Sequence, residues 1–236
     1  MNKIIHKSST RGHADHGWLN AHHTFSFANY HDPARVHFGM LRVLNDDIVD
    51  SGMGFGTHPH DNMEIVTIPI TGSLEHRDNT GRHEIILSGD VQIMSAGTGI
   101  AHSEMNPSKT EAVNLLQIWV FPKQQDITPR YEQKTYPPEK RNNKLLLVVS
   151  PEKNSDSLWI NQDAWFSLGK FDKDKSITYD LHKENSGVYI FIINGEVEVE
   201  GDLLQNRDGM GITSTISINI KCTLPSEFLL MEIPMQ

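Results

Sequence analysis

Ile65-Val66-Thr67-Ile68-Pro69-Ile70-Thr71-Gly72-Ser73-Leu74-Glu75-His76 reads as a hydrophobic run rich in β-branched residues, a glycine turn, and a second, alternating run. The same shape returns downstream as Val188-Tyr189-Ile190-Phe191-Ile192-Ile193-Asn194-Gly195-Glu196-Val197-Glu198-Val199. The match is of pattern rather than identity, as expected of two copies of one β unit. Working outward, comparable runs lie at 64–70, 85–87, 91–94, 115–121, 145–149, 188–193 and 228–233. β-Branched and aromatic residues fit a pleated, buried surface. Turn residues separate the runs: Thr71-Gly72, Asn79-Thr80-Gly81, Ser88-Gly89-Asp90 and Asn194-Gly195, the last a hairpin signal between two strand-like segments. Sustained helical periodicity is missing. The chain is therefore expected to be all-β, a sandwich or barrel whose closure hides its edge strands.

Pro122, Pro129, Pro137 and Pro138 lie among polar residues between 122 and 143, a composition that ends strands and makes a stiff connector. It divides the chain near residue 130 into an N-terminal barrel, 1–130, and a C-terminal barrel, 131–236. Histidine supports the division, because 12 of the 13 histidines precede residue 103 and only His182 follows. The second unit then reads as a degenerate copy without metal, which covers the first and shapes access to its mouth.

Composition excludes several functions. The net charge is −9 and neither half is basic, so no clustered Lys/Arg surface exists for a phosphate backbone and direct nucleic-acid binding is not expected. No apolar run approaches the ~18 residues of a membrane helix, and the opening residues carry no signal-peptide core. Cys222 has no partner for a disulfide and reads as a small apolar filler. A reducing, cytoplasmic setting is the expectation.

The chemistry gathers in two stretches. In Gly52-Met53-Gly54-Phe55-Gly56-Thr57-His58-Pro59-His60-Asp61-Asn62-Met63-Glu64, residues two apart in a strand share a face, so His58 and His60 point together and Glu64 has their parity. In Ala96-Gly97-Thr98-Gly99-Ile100-Ala101-His102-Ser103-Glu104-Met105-Asn106, His102 and Glu104 form another same-face pair, and Gly97 and Gly99 signal a tight backbone approach. On neighbouring strands the two pairs can converge as three imidazoles and one carboxylate around a single ion. Such nitrogen and oxygen donors suit Fe(II), Mn, Ni, Cu, Co or Zn. An ion with open positions would be catalytic rather than structural. His22 and His23 read as solvated or hydrogen-bonded, and His76 and His83 as hairpin residues beside Asn79-Thr80-Gly81. His6, His13, His16, His31, His37 and His182 carry no spacing signal. Phe25, Phe27, Phe55, Phe121 and Trp119 read as core, with one or two available to line an apolar pocket above the metal.

Gly52-x5-His58-x-His60-x3-Glu64, then Gly72, Gly89 and His102-x3-Asn106, resembles the two motifs of the cupin superfamily. Thr24-Phe25-Ser26-Phe27, Gly39-x-Leu41-Arg42-Val43-Leu44-Asn45, His58-Pro59-His60, Met94-Ser95-Ala96-Gly97 and Gly99-Ile100-x-His102-Ser103-Glu104 resemble the pirin family more narrowly, densely from Arg11 to Tyr131 and loosely across 187–212. The resemblance implies a bicupin of two jelly-roll barrels with iron, as Fe(II), in the first. The ligands it implies are His58, His60, His102 and Glu104, with Glu104 also catalytic and Glu64 a neighbour that orients a ligand imidazole. Many pirins carry a basic residue or glycine where this chain has Asp61 and Asn62, which makes the mouth more negative.

The activity the resemblance implies is that of a quercetin 2,3-dioxygenase, which opens flavonols such as quercetin with O2. The alternative it implies is an iron-bound, redox-sensing regulatory protein that acts through a protein partner.

Overall fold

The computed structural model describes residues 1–153 and 155–236. The chain begins with β1 (Asn2–His6), β2 (Gly12–Asp15), β3 (Leu19–His23) and β4 (Leu41–Val49). Next come β5 (Gly54–His60), β6 (Glu64–Thr71), β7 (Ser73–Asp78) and β8 (His83–Leu87), then β9 (Asp90–Ser95), β10 (Ile100–Met105), β11 (Val113–Val120) and β12 (Arg130–Thr135). The second half contains β13 (Lys144–Ser150), β14 (Leu158–Trp159), β15 (Trp165–Phe171), β16 (Ser176–Asp180) and β17 (Ser186–Asn194). It ends with β18 (Glu196–Val199), β19 (Asp202–Gln205), β20 (Gly209–Thr213), β21 (Ser217–Cys222) and β22 (Ser226–Pro234). Helix among the described residues is confined to two short 3-10 turns, Ser8–Thr10 and Pro138–Arg141.

These strands form two barrels, each of a seven-stranded and a four-stranded sheet. In the first the orders are β12-β9-β6-β11-β4-β3-β2 and β5-β10-β7-β8; in the second they are β1-β20-β17-β22-β15-β13-β14 and β16-β21-β18-β19. Strands β4 to β11 thus occupy the same successive places as β15 to β22. The repeated sequence pattern is the pair β6–β7 in one barrel and β17–β18 in the other.

Two local expectations are corrected by this topology. Asn194-Gly195 is not a hairpin: β17 pairs with β20 and β22, whereas β18 pairs with β19 and β21. Here the chain turns a corner from one sheet into the other. Gly195 has φ 95°, and a side chain there would lie 2.3 Å from the Pro225 carbonyl oxygen. Residues 122–143 are not connector throughout. The proline-free interval between Pro129 and Pro137 forms β12, which pairs along β9.

Strands also cross the expected division at 130. β1 pairs with β20 of the second barrel, and β12 extends the first barrel past that point. Each barrel therefore borrows or retains a strand across the boundary, which ties the two together through the backbone.

The seven-stranded sheets are buried on both faces. Val66, Ile68, Leu116, Ile118 and Val120 of the first barrel share a core with Phe166, Leu168, Phe191, Leu229 and Met231 of the second. Ile65 and Thr67, on the other face of β6, point into the first barrel. There Ile65 packs with Met94, Ala96 and Ile100. The interior of the second barrel is apolar, built on Val188, Ile190, Val197, Val199, Ile218 and Ile220. Cys222 is buried among them, and burial pushes its thiol up to about 11, so it is an inert filler.

Glu64 lies on the outer face of β6, where its Oε2 accepts the Ser95 hydroxyl (2.8 Å) and the Asn161 backbone N–H of the second barrel (3.1 Å). Burial pushes this carboxyl from 4.5 up to about 7, against those hydrogen bonds. Between these values the folded chain holds a proton that the unfolded chain has released, so the contribution to stability is complete below pH 4.5 and is lost as pH rises through 7. Glu64→Gln imitates the protonated form. Chemical denaturation should show it more stable than the parent by about 1–3 kcal/mol at pH 8 and nearly equal at pH 5; an equal difference at both pH values would contradict the assignment.

Candidate metal centre

The four-stranded sheet of the first barrel carries the donors. His58 and His60 project from β5, and His102 and Glu104 from β10 beside it. The register pairs His102 with His58 but Glu104 with Phe55, so one residue of β10, Ser103, opposes two of β5. The resulting bulge falls at Gly56 and Thr57, and the Gly56 carbonyl accepts a hydrogen bond from His58 Nδ1 at 2.8 Å. A proton on Nδ1 leaves Nε2 with a free lone pair.

The three imidazoles converge. Ring centroids are 4.9 Å apart for His58 and His60, 4.5 Å for His58 and His102, and 4.9 Å for His60 and His102. One donor atom from each lies within 4.8 Å of the others, an arrangement that can hold a metal ion. Burial, followed by the neighbouring His58, lowers His60 to about 4, and burial holds His102 far below the usual histidine range. Both rings are neutral at pH 7, as a ligand imidazole must be. His102 Nε2 is buried without a hydrogen-bond partner, so the donor set fits a cation: the orphaned atom is the one a metal would satisfy.

Glu104 is buried beside His102, and desolvation raises its carboxyl above the usual range while bonds from Gln117 oppose the shift. Gln117 on β11 donates its amide to both carboxylate oxygens, at 3.2 and 3.0 Å, and accepts the Thr67 hydroxyl at 3.0 Å. Glu104 also lies with His102 and His76 in a second set of donors within 4.8 Å of one another. His58 and His60 are only half-buried, so the site opens at their side. Trp119 stands edge-on to His60 at 4.9 Å and Phe27 edge-on to Trp119 at 5.4 Å, an aromatic wall at the opening.

Glu64 does not reach this cluster, and its expected role as a neighbour of a ligand imidazole is corrected. Parity holds only within one strand. β5 ends at His60, Asn62 has φ 42°, and β6 starts in the other sheet, which turns Glu64 toward the second barrel. Asn62 instead exchanges hydrogen bonds with Asp126, and Gly97 lies so close to the Ile127 carbonyl that a side chain would meet it at 1.9 Å. These contacts seat the 121–129 segment beside the mouth. Asn161 and Gln162 of the second barrel hold that segment from behind by donating to the Gln124 and Phe121 carbonyls.

The sequence reading missed His76, Gln117 and Asp47. His76 is fully buried next to His102 at 5.2 Å between ring centroids, and its one local sign is that it continues the inward alternation of Leu74. Asp47 is buried inside the barrel, where desolvation and the charges of Asp46 and Glu104 push it up to about 8. Burial and these two neighbours thus favour its neutral form. His23 is buried against Asn45, His6 against Tyr189, and His13 stacks on His22. In the second barrel the register places Tyr179, Ile218 and Ile220 where His58, His102 and Glu104 stand in the first. All three are buried in its apolar core.

A groove of about 1180 Å³ lined by Lys123, Asp163, Lys183 and Met235 lies away from the histidines. Its two lysines are already paired with Asp163. No helix among the described residues is long and apolar enough to cross a membrane.

The family described as Pirin matches residues 5–120, and the quercetinase C-terminal cupin domain matches residues 147–233. A quercetin 2,3-dioxygenase of Escherichia coli strain K12 is 44% identical over 230 residues, covering 98% of each chain. A pirin-like protein of Caulobacter vibrioides is 40% identical over 222 residues, covering 94% of this chain and 95% of that one. Among solved structures, the bacterial pirin YhhW of Escherichia coli in complex with nickel(II) superposes with a TM-score of 0.94 at 42% identity over 99% of both chains.

Gln117→Leu leaves Glu104 without a donor while keeping the side-chain volume similar. Affinity for a divalent metal, measured by chelator competition, should fall roughly 10–100-fold. Unchanged affinity would show that Glu104 needs no such support.

Proposed function

The chain belongs to the pirin family, and from that premise we propose that it is a metal-dependent dioxygenase that opens flavonols such as quercetin with O2. Supporting this most directly is the convergence of the His58, His60 and His102 imidazoles at a half-open mouth walled by aromatic rings, with the buried Glu104 carboxylate beside His102. His58, His60, His102 and Glu104 are the proposed ligands, iron(II) the proposed ion, and a reducing cytoplasm the proposed setting. The nickel-bound relative is consistent with a donor set that several divalent metals accept.

Once bound, the ion would act as a Lewis acid toward the flavonol 3-hydroxyl and provide the electronic route between the ring and O2. The protein's own groups do the rest. Glu104, as a ligand or as a base beside the ion, can take the proton of the 3-hydroxyl, while Gln117 keeps the carboxylate oriented. Trp119 and Phe27 offer flat apolar surface to a planar aromatic substrate. Asp61 is exposed near the rim and disfavours strongly anionic ligands. The 121–129 segment, seated by Asn62 and Gly97, limits water at the opening.

Purified, iron-loaded protein should consume quercetin and oxygen together, with one metal per chain. His58→Ala and Glu104→Ala should abolish both turnover and stoichiometric metal. Full turnover in either variant, or two tightly bound ions per chain, would overturn the assignment.

A further inference from the structure

Behind His102 lies a hydrogen-bonded chain that none of the proposed chemistry uses. On β7, facing β10, Asp78 stands opposite His102 and His76 opposite Glu104. His102 Nδ1 and His76 Nδ1 are 3.4 Å apart, and His76 Nε2 lies 3.1 Å from Asp78 Oδ2. The His76 and Asp78 side chains are shielded from solvent, at 1% and 0% exposure. Asp78 Oδ1 is already occupied by the Thr80 hydroxyl (2.6 Å) and the backbone N–H groups of Thr80 (2.9 Å) and Arg82 (3.3 Å). The carboxylate is thus fixed by the turn of its own hairpin, with one oxygen aimed at His76.

With Asp78 ionised and one proton on His76, this chain runs in one direction. An ionised carboxylate accepts and never donates, so the His76 nitrogen facing it must carry a proton. Neutral His76 then has a bare Nδ1, which can only accept. His102 must supply a proton from its own Nδ1, and its Nε2 is left as a lone pair. That Nε2 is the buried atom without a partner among the three converging imidazoles.

We propose that His76 and Asp78 are positioning residues that lock His102 in the tautomer able to ligate metal through Nε2 and that hold its ring toward His58 and His60. The inference rests on His102 being a ligand, as proposed above, and not on the identity of the substrate. Both His76 nitrogens face protein partners, Asp78 and His102, so neither residue is given a place on the ion. Their effect passes through one imidazole, as an outer carboxylate acts on a metal-bound histidine.

Asp78→Asn tests the direction of the chain, because an amide can donate to His76 Nε2 and so permit the reverse order, which ends in a proton on His102 Nε2. Histidine-ring nitrogen NMR of the metal-free protein should show His102 protonated at Nδ1 in the parent and a population protonated at Nε2 in Asp78→Asn. Affinity for cobalt(II) alone should fall roughly 10–100-fold in Asp78→Asn and in His76→Leu. His76→Gln, whose amide can both donate to Asp78 and accept from His102, should restore affinity to within about threefold of the parent. Should Asp78→Asn fail to fold, the contrast between the two His76 variants decides the matter. His102 protonated at Nε2 in the parent, or parental affinity in His76→Leu, would overturn the proposal. A parent that binds no cobalt would defeat the ligand assignment instead, and the NMR spectrum would still decide the relay.

Discussion

Burial of both faces of the seven-stranded sheets is the constraint on which the rest of the molecule depends. Alternate residues of β6 and β11, such as Val66, Ile68, Leu116 and Ile118, pack into the core between the barrels. Hydrophobic burial of this kind contributes roughly 25 cal/mol per Å² of apolar surface. Because so much apolar surface is buried outside the first barrel, its interior can hold Thr67, His76, Glu104 and Gln117, all but Gln117 fully or nearly fully buried. Polar groups there are tolerable because they satisfy one another, in the runs Thr67–Gln117–Glu104 and His102–His76–Asp78.

Two copies of one fold have taken opposite courses. The second barrel fills the equivalent places with Tyr179, Ile218 and Ile220 and gains a continuous apolar interior. The first divides its apolar residues into two smaller groups, around Leu74 and around Ile65, with the histidines and carboxylates between them. The second barrel still bears on the site. Asn161 meets Glu64 and the segment at the mouth, and β1 and β12 bind each half to the other.

What the sequence revealed was what lies within single strands. His58 with His60, and His102 with Glu104, are two apart on continuous strands, so parity alone brings each pair to one face. Glu64 departs from that parity because the chain bends at Asn62 into another sheet. His76 stayed hidden for a different reason: its importance comes from β7 lying beside β10, a pairing between segments far apart in sequence. The exchange of β1 and β12 is non-local in the same way, and Asn194-Gly195 shows a hairpin dipeptide used as a corner because β18 finds its partners elsewhere. Regular β-rich runs nonetheless disclosed an all-β tandem fold, since each run had to be buried whichever strand it met.

The central claim is that the first barrel holds one ion through three imidazoles and the Glu104 carboxylate. X-ray absorption spectroscopy of the iron-loaded protein tests it most directly. The spectrum should show a first shell of nitrogen and oxygen with the outer scattering of three imidazole rings, reduced to two rings by His102→Ala. A shell containing sulfur, or an imidazole count unchanged by that substitution, would contradict the account.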